Sequence, residues 1–511
     1  MDAISLSLFA NRIEAVCEEM GAALQKSAFS PNIRDRLDYS CAVFDADGEL
    51  CAQAAHIPVH LGSMAYAMRD IVEAVKWQPG DMLCLNDPYR GGTHLPDVTL
   101  IAPLFVDADL AGFVANRAHH ADIGAETPGS MPLSSSLHEE GVLISPVLLV
   151  RQDRVVDTVM DDIMSRMRNP VESRGDFIAQ LAANRRGLMR LDEQVKAMGL
   201  SRYRRALDAL NDYAEQLAVA SLGDIPAGEY RFVDMLDDDG MGHVDIRIEV
   251  CIRIDKGIIE LDFSGTSEQV GGNVNCPLSV TAAAVYYVFR CLLPAQAPAC
   301  AGSFRPIRIH APEGCLLNAR YPAAVTAGNV ETSTRIVDVI LGALAKAIGE
   351  KIPAASHGSM NNLAIGSTMA PAWDYYETVG GGMGANKSSG GLDAVQTHMT
   401  NTLNTPVESL EMNYPLRVTR YQVRQGSGGD GRHAGGDGII REFEFLRAAQ
   451  ATILSERRTH PAWGAAGAKA GASGKNSHNG KSLGGKVSLS LKPGDILRIE
   501  TPGGGGFGSK K

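Results

Sequence analysis

The chain has 511 residues, of which 45% are hydrophobic and 21% charged. This composition is typical of globular proteins and excludes a disordered chain, which would bury too little apolar surface. A formal net charge of −11 disfavours nucleic acid and anionic membranes as partners, because both carry negative charge.

The length exceeds what one compact core usually holds and predicts about three domains. The nine cysteines form no CxxC pair, and a disulfide scaffold would need paired cysteines in a shorter chain. The first 20 residues do not resemble a signal peptide, and no stretch approaches 18 uncharged apolar residues. We therefore expect a cytoplasmic protein with reduced cysteines and no membrane contact.

The first part of the chain predicts helices alternating with short strands. Apolar residues spaced three and four apart predict a helix over residues 6–27. The strand predicted over 38–44 ends in a turn at Asp47-Gly48, so we expect residues 53–60 to pair with it as a hairpin. The elements predicted next are a helix over 65–76 and strands over 81–84, 99–106 and 112–117.

The remainder separates into helical and strand-rich parts. Residues 177–220 have few glycines and a helical pattern, and residues 223–228 are typical of a linker. The other predicted elements are strands over 230–236, 243–254, 258–263, 486–491 and 496–501, helices over 281–293 and 333–348, and a glycine-dense region over 379–441. The fold class predicted is α+β, multi-domain, with mixed or antiparallel sheets and a segregated helical segment.

We divide the chain into four parts on this basis. They are an N-terminal α/β domain over 1–175 that carries a metal site, a helical segment and linker over 176–228, a central α+β domain over 229–370, and a glycine-rich, β-dominated C-terminal domain over 371–511.

The densest group of polar residues lies between positions 86 and 140. His119, His120 and Asp122 follow a predicted strand, and His94 and Asp97 lie in the loop before it. Imidazole and carboxylate groups suit zinc, manganese or iron, and the absence of thiols disfavours a structural zinc site. The alternative is that these histidines hydrogen-bond buried loop backbone.

Three residues nearer the N-terminus are weaker candidates. Asp38 begins a predicted strand, where its carboxylate would be either a further metal ligand or the cap of a turn. His56 and His60 flank Ile57-Pro58-Val59 and are more typical of structural histidines.

No nucleotide-binding motif is present. The stretch 471–482 resembles a phosphate loop but lacks the required glycine and a preceding apolar strand, so a solvated loop is predicted. The glycine clusters lack the strand-to-helix context of a dinucleotide site. If the reaction uses ATP, another chain must therefore supply the phosphate-binding site.

The motifs, taken in order, resemble those of the hydantoinase B/oxoprolinase family across nearly the whole chain. One departure is Met383, where an aromatic residue is expected after the triple glycine. The segments that carry the resemblance are 36–41, 56–64, 86–97, 119–130, 328–333, 376–382, 398–408, 426–438 and 502–508.

The resemblance implies a metal-bearing subunit that works with a hydantoinase A-type, ATP-using subunit in a hetero-oligomer. The partner, using ATP and Mg²⁺, would phosphorylate a lactam or imide oxygen, and the activated ring would then be hydrolysed. The divalent ion would be zinc or manganese, or else iron. Its implied ligands are Asp38, His94, His119 and Asp122, with His120 as the substitute.

Several roles stay open. Asp97, Glu139 or Glu140 is the expected general base. Arg90 or Arg117 is expected to hold a phosphate, although either would equally serve as a surface charge. Two other functions are considered beside cyclic amide hydrolysis: the corresponding subunit of an acetone or acetophenone carboxylase, and a non-catalytic scaffold that docks the partner.

Overall fold

The structure is a computed structural model that describes residues 1–54 and 57–510. The structure combines α-helices with antiparallel and mixed sheets and has a mostly helical stretch over residues 157–222, which confirms the predicted α+β class. The α-helices are Ala3–Ser27 (α1), Pro31–Arg34 (α2), Pro58–Glu73 (α3), Asp157–Ser165 (α4), Pro170–Met198 (α5), Leu200–Leu222 (α6), Leu278–Leu292 (α7), Ser333–Ile348 (α8) and Val407–Asn413 (α9).

The first sheet has seven strands in the order β2-β1-β5-β4-β3-β6-β7, and all neighbouring strands are antiparallel. Its strands are Tyr39–Phe44 (β1), Leu50–Ala54 (β2), Met82–Leu85 (β3), Asp97–Val106 (β4), Asp109–His119 (β5), Val147–Arg151 (β6) and Arg154–Val155 (β7).

Three smaller sheets follow. The second has the order β11-β10-β9-β8, with β10 and β11 parallel, and the other two, β13-β12-β16-β19 and β14-β15-β20-β17-β18, are antiparallel. The strands are Gly228–Asp238 (β8), Val244–Asp255 (β9), Ile258–Asp262 (β10), Ile307–His310 (β11), Asn362–Ser367 (β12), Trp373–Glu377 (β13), Leu416–Arg424 (β14), Gly438–Phe445 (β15), Ala449–Leu454 (β16), Lys475–His478 (β17), Lys481–Leu483 (β18), Lys486–Leu491 (β19) and Ile496–Glu500 (β20).

The first sheet is covered by helices on its two faces. Helix α5 packs on β4, β5 and α1, while α3 contacts β1 and packs against α7. Helix α8 packs on α7 and on the second sheet. One hydrophobic core extends from Ala42 to Leu454 and so crosses all three boundaries that we drew from the sequence; the four-part division stays a prediction.

The predicted helical segment is present as two helices, α5 and α6, separated by Gly199, whose φ is +82°. The helix predicted over 333–348 coincides with α8. Both predictions rested on strong apolar periodicity, which is the primary sequence signal of secondary structure.

Two local predictions were wrong. The strand expected over 53–60 ends at Ala54, and Pro58 begins helix α3, since proline suits the first turn of a helix. Ala55 and His56 lie outside the described residues. The loop expected over 471–482 contains β17 and β18, which pair at the edge of the fourth sheet.

Helices α3 and α7 approach closely at Gly62. A Cβ atom added there would lie 2.5 Å from the Cα of Ala283. Because neither helix can move without disturbing the core, Gly62→Ala is expected to lower the free energy of unfolding by about 1–3 kcal/mol in a urea titration. Gly271→Ala is the matched control, since its nearest neighbour is a His243 carbon at 3.9 Å. Equal stabilities of the two variants would contradict this account of the contact.

Candidate metal centre

Three neighbouring strands of the first sheet, β1, β5 and β4, bring polar residues together where the strands begin or end. Strand β4 begins at Asp97 and β5 ends at His119, and these two residues are paired across the strands. Residues paired in this way project from the same face of a sheet. The His119 N–H also donates to the carbonyl of Asp38, the residue before β1, at 3.0 Å. Asp38, Asp97 and His119 therefore lie side by side.

His94, from the loop before β4, completes a buried group. Its Nε2 lies 3.1 Å from Asp97 Oδ1, and His119 Nδ1 lies 3.1 Å from the same oxygen. The exposed fractions of His94, Asp97 and His119 are 0%, 0% and 2%. Within residues 1–54 and 57–510, these three residues form the one group of His, Cys, Asp or Glu side chains whose potential ligand atoms all lie within 4.8 Å of one another.

The second oxygen of Asp97 is held by other side chains. Oδ2 accepts a hydrogen bond from the Thr93 hydroxyl at 2.5 Å and one from Asn329 Nδ2 at 3.3 Å. His60 Nε2 lies 3.3 Å from the same atom. These contacts fix the carboxylate and leave Oδ1 directed at the two imidazoles, as outer-shell partners do for metal ligands.

The hydrogen-bond partners indicate which ring nitrogens carry protons. His94 Nδ1 faces the Thr326 carbonyl at 3.3 Å, and His119 Nδ1 faces a carboxylate oxygen. The Thr326 carbonyl can only accept, so Nδ1 of His94 carries a proton, and its Nε2, which has no hydrogen-bond partner in the described part of the chain, is the nitrogen placed beside Asp97 Oδ1 to bind a cation. In His119 the nitrogen beside Asp97 Oδ1 is Nδ1, which either donates a proton to the carboxylate or binds a cation in place of that proton.

This donor set fits a divalent ion. Two imidazole nitrogens and one carboxylate oxygen suit zinc, manganese or iron. The 3.1 Å between His94 Nε2 and Asp97 Oδ1 agrees with the spacing of roughly 3.0–3.4 Å between donor atoms around an ion at about 2.1 Å. The 3.1 Å between His119 Nδ1 and Asp97 Oδ1 agrees with the same spacing, and a bound cation would use the His94 Nε2 lone pair that is otherwise buried without a partner.

The electrostatics of the group are dominated by Asp97. Burial alone would raise the pKa of this carboxyl, but His94 and His60 hold it well below its usual range. Burial alone would lower the pKa of His94, but the Asp97 carboxylate raises it above its usual value. The pKa of His119 is lowered by burial, against the effect of Asp97 and Asp38. The buried negative charge is thus balanced by a proton or by a cation in its place.

The ring of His119 is also fixed by stacking. It lies on Tyr376, with ring centroids 4.6 Å apart and planes inclined by 16°. The Tyr376 hydroxyl donates to Asn362 at 2.7 Å, and the Arg36 guanidinium lies 5.0 Å from the tyrosine ring centroid. Residues of the C-terminal part of the chain thus orient a ligand that β5 supplies.

The structure places His120 and Asp122 away from this group. His120 Nε2 lies 3.0 Å from Gln180 Oε1 of helix α5, because consecutive residues of a strand project from opposite faces. The two carboxylate oxygens of Asp122 accept the N–H groups of Gly124 and Asn169. Both residues border a small internal space on the α5 side of the sheet.

The two candidate glutamates do not reach the group either. Glu139 accepts the N–H and hydroxyl of Ser135. Glu140 is fully buried, and its Oε1 accepts the N–H groups of Val325 and Thr326 at 2.9 Å. Since the Thr326 carbonyl fixes His94, Glu140 is a positioning residue for that imidazole.

Glu140 is expected to make stability depend on pH. Burial raises its pKa to about 7, from an ordinary value near 4.5, so the folded protein binds the proton more tightly than the unfolded chain. This stabilisation is present below about pH 4.5 and is lost as the pH rises through 7. Glu140→Gln is therefore expected to match the wild type near pH 4.5 and to exceed its free energy of unfolding above pH 7, by on the order of 3 kcal/mol. Urea titrations of both proteins at the two pH values measure the difference in free energy of unfolding between Glu140→Gln and wild type. The same difference at both pH values would contradict this prediction.

The two candidate arginines differ in burial. Arg90 is exposed, and its side chain lies 3.8 Å from Asp87. Arg117 is buried, and its N–H groups donate to neutral oxygens of Thr99, Ser63 and Gly91. Burial lowers the pKa of Arg117 to about 10. Its charge lies in the sheet beside Asp97, and its three donor nitrogens are engaged within the chain.

Several residues around Asp97 do not stand out in the sequence. Thr93 lies in a segment that carries the resemblance, but hydroxyls are too common for it to be singled out. His60 is a weak candidate by sequence, and His56 is not among the described residues. Asn329 and Tyr376 lie in the motifs 328–333 and 376–382, which carry the family resemblance. Membership of these motifs is the one sequence feature that could have pointed to them.

A family model described as hydantoinase B/oxoprolinase matches residues 2–510. An uncharacterised protein of Methanocaldococcus jannaschii is 39% identical over 520 residues, covering 100% of this chain and 91% of the relative. 5-oxoprolinase 1 of Arabidopsis thaliana is 38% identical over 549 residues, covering 99% of this chain and 42% of the relative. The chain thus spans about two fifths of that 5-oxoprolinase. A Pseudomonas sp. (strain NS671) protein, provisionally named as the B-type subunit of a D-/L-hydantoinase, is 31% identical, covering 100% of this chain and 90% of the relative.

Solved structures share the fold. The ATP-dependent caprolactamase from Pseudomonas jessenii has a TM-score of 0.93 at 27% identity, covering 100% of this chain and 91% of the other. A nucleotide-free acetone carboxylase has a TM-score of 0.89 at 18% identity, covering 98% of this chain and 75% of the other, which shows the fold alone. None of the helices described in the present chain has both the length and the apolar character needed to cross a bilayer.

Proposed function

Because the chain belongs to the hydantoinase B/oxoprolinase family, we propose that it is the metal-dependent hydrolytic part of an ATP-dependent cyclic amide hydrolase. The observation that carries this proposal is the buried convergence of His94 Nε2 and His119 Nδ1 on Asp97 Oδ1, each at 3.1 Å. Two relatives, a 5-oxoprolinase and a caprolactamase, are named for cyclic amides.

His94, Asp97 and His119 would hold the ion, and Asp38 would be a further ligand from the same sheet edge. A divalent ion held there acts as a Lewis acid towards an oxygen of the substrate or of water. The protein supplies the rigidity. Thr93 and Asn329 hold the carboxylate, and the Thr326 carbonyl sets the tautomer of His94. These contacts keep the donor atoms in place before a substrate arrives.

The use of ATP is assigned to a partner. An unactivated amide reacts slowly with water, and phosphorylation of its oxygen creates a leaving group. The sequence has no phosphate loop, and one relative is named as the B-type component of a hydantoinase, which supports a hydantoinase A-type, ATP-using partner in a hetero-oligomer. We propose that the partner, with Mg²⁺, forms the phosphorylated ring and that this chain hydrolyses it.

The proposal is tested by co-expression with a cognate ATP-using subunit. We expect ADP release coupled to opening of at least one ring among hydantoin, 5-oxoproline and caprolactam. Chelation of this chain before assembly should abolish ring opening in the complex supplied with ATP and Mg²⁺, and zinc, manganese or iron should restore it. Full activity of the complex assembled from the metal-free chain, or failure to open any lactam or imide, would contradict the proposal.

A further inference from the structure

Asn329 lies in a short π-helix, Gly328–Thr332, that directly precedes α8. π-helical turns are rare and occur often at functional sites. This turn is pressed against the segment before α7, since a Cβ at Gly328 would lie 1.8 Å from the Asn275 carbonyl oxygen. The packing brings Asn329, with 2% of its surface exposed, to the edge of the group around Asp97.

The orientation of the Asn329 amide follows from its neighbour. Its nitrogen donates to Asp97 Oδ2 at 3.3 Å, and a carboxylate can only accept, so the amide oxygen faces the other way. That oxygen is buried and has no hydrogen-bond partner in the part of the chain that the structure describes. A buried acceptor without a donor is unfavourable and calls for a ligand or water that donates to it.

The ligand that fits must present a donor beside an acceptor. The unpartnered oxygen of Asn329 needs an N–H or O–H group, and the adjacent histidine and aspartate cluster is suited to a cation, which binds oxygen. In a small ring the amide bond is held cis, so its C=O and N–H lie on the same side; an open-chain amide is trans and separates them. One edge of a cyclic amide therefore offers both groups at once.

We infer that the side-chain oxygen of Asn329 binds the N–H of the amide bond that is cleaved, which restricts the site to cyclic amides unsubstituted at that nitrogen. This inference rests on the proposed function and adds substrate selection to it. The same hydrogen bond favours the protonated form of the ring after phosphorylation of its oxygen, because that form also carries an N–H.

The test compares each ring with its counterpart methylated at the nitrogen of the scissile bond, in the metal-loaded complex with its ATP-using partner. The rings are 5-oxoproline, hydantoin and caprolactam. For a ring that is opened, kcat/KM and the calorimetric Kd are measured for both forms, with wild type, Asn329→Ala and the exposed control Asn413→Ala.

We expect wild type and Asn413→Ala to prefer the N–H ring by about 5–150-fold, the range for one hydrogen bond to a buried group. Asn329→Ala should lose most of this preference, binding the N–H ring more weakly and the methylated ring nearly as before. Because Asn329 also holds Asp97, the variants are compared at saturating metal, which restores full occupancy after the roughly 10–100-fold loss of affinity that removal of an outer-shell partner costs. Unchanged binding of the methylated ring would also show that the variant is folded.

Two failures are distinguishable. If no ring is bound or opened by wild type, the proposed function itself is wrong. If a ring is opened but wild type uses the methylated form equally well, or if Asn329→Ala keeps the full preference, then a water molecule fills the position and the assignment of Asn329 is wrong while the function stands.

Discussion

Replacing Asp97 with alanine is expected to abolish metal retention and ring opening together. Its Oδ1 lies 3.1 Å from both imidazoles, and its Oδ2 accepts from Thr93 and Asn329. The variant loses one ligand and the acceptor that orients the others. The decrease in metal affinity should therefore exceed the roughly 10–100-fold that the loss of an outer-shell partner costs. Elemental analysis after dialysis should give near zero ions per chain.

Asp122→Ala is the matched control for this change. Asp122 is also a buried carboxylate of the same segment, but it accepts backbone N–H groups of Gly124 and Asn169 on the α5 side. The control is expected to lose stability and to retain its metal. Retention of the ion by Asp97→Ala, or its loss from Asp122→Ala alone, would move the site away from the His94–Asp97–His119 group.

Replacing Arg441 with methionine is expected to destabilise the protein strongly without affecting metal content. Arg441 and Glu377 are both fully buried and form a two-bond ion pair at 2.9 and 3.1 Å. The guanidinium also lies 4.2 Å from the centroid of the Tyr421 ring. Removing one member of such a pair leaves a buried charge unbalanced and costs about 3–5 kcal/mol. Chemical denaturation followed by tryptophan fluorescence measures this loss.

The double variant Arg441→Met, Glu377→Gln separates charge from packing. It removes both charges, so we expect it to be more stable than Arg441→Met alone. If the loss of stability of the double variant relative to wild type equalled the sum of the losses of Arg441→Met and Glu377→Gln, the ion pair would not be the cause. Neither variant touches the metal group, so a loss of metal would indicate general unfolding.

Much of the fold follows from local patterns. The helices α1, α5, α6 and α8 were predictable because their apolar residues recur with helical spacing. The pairing of four separate sheets was not, since it depends on contacts between residues far apart in the chain. The change from strand to helix before Pro58 shows the same limit on a smaller scale, because apolar residues there suit either state.

The candidate site shows what spacing alone cannot decide. The sequence does not distinguish His119 from His120. Consecutive residues of a strand project from opposite faces, so His119 lies beside Asp97 and His120 beside helix α5. By sequence Asp97 is one member of the polar group around His119 and one of three candidate general bases, and only the register of β4 and β5 shows that it lies directly opposite His119. Asn329 reaches the same carboxylate from 232 residues further along the chain, which no local pattern reveals.

The most direct measurement is an anomalous diffraction experiment on crystals of the chain purified without chelators. Data would be collected on both sides of the absorption edge of the metal found by X-ray fluorescence. We predict one strong peak bounded by Asp97 Oδ1, His94 Nε2 and His119 Nδ1. A fully occupied ion elsewhere, such as beside His120 and Asp122, with no peak at Asp97, would contradict the account.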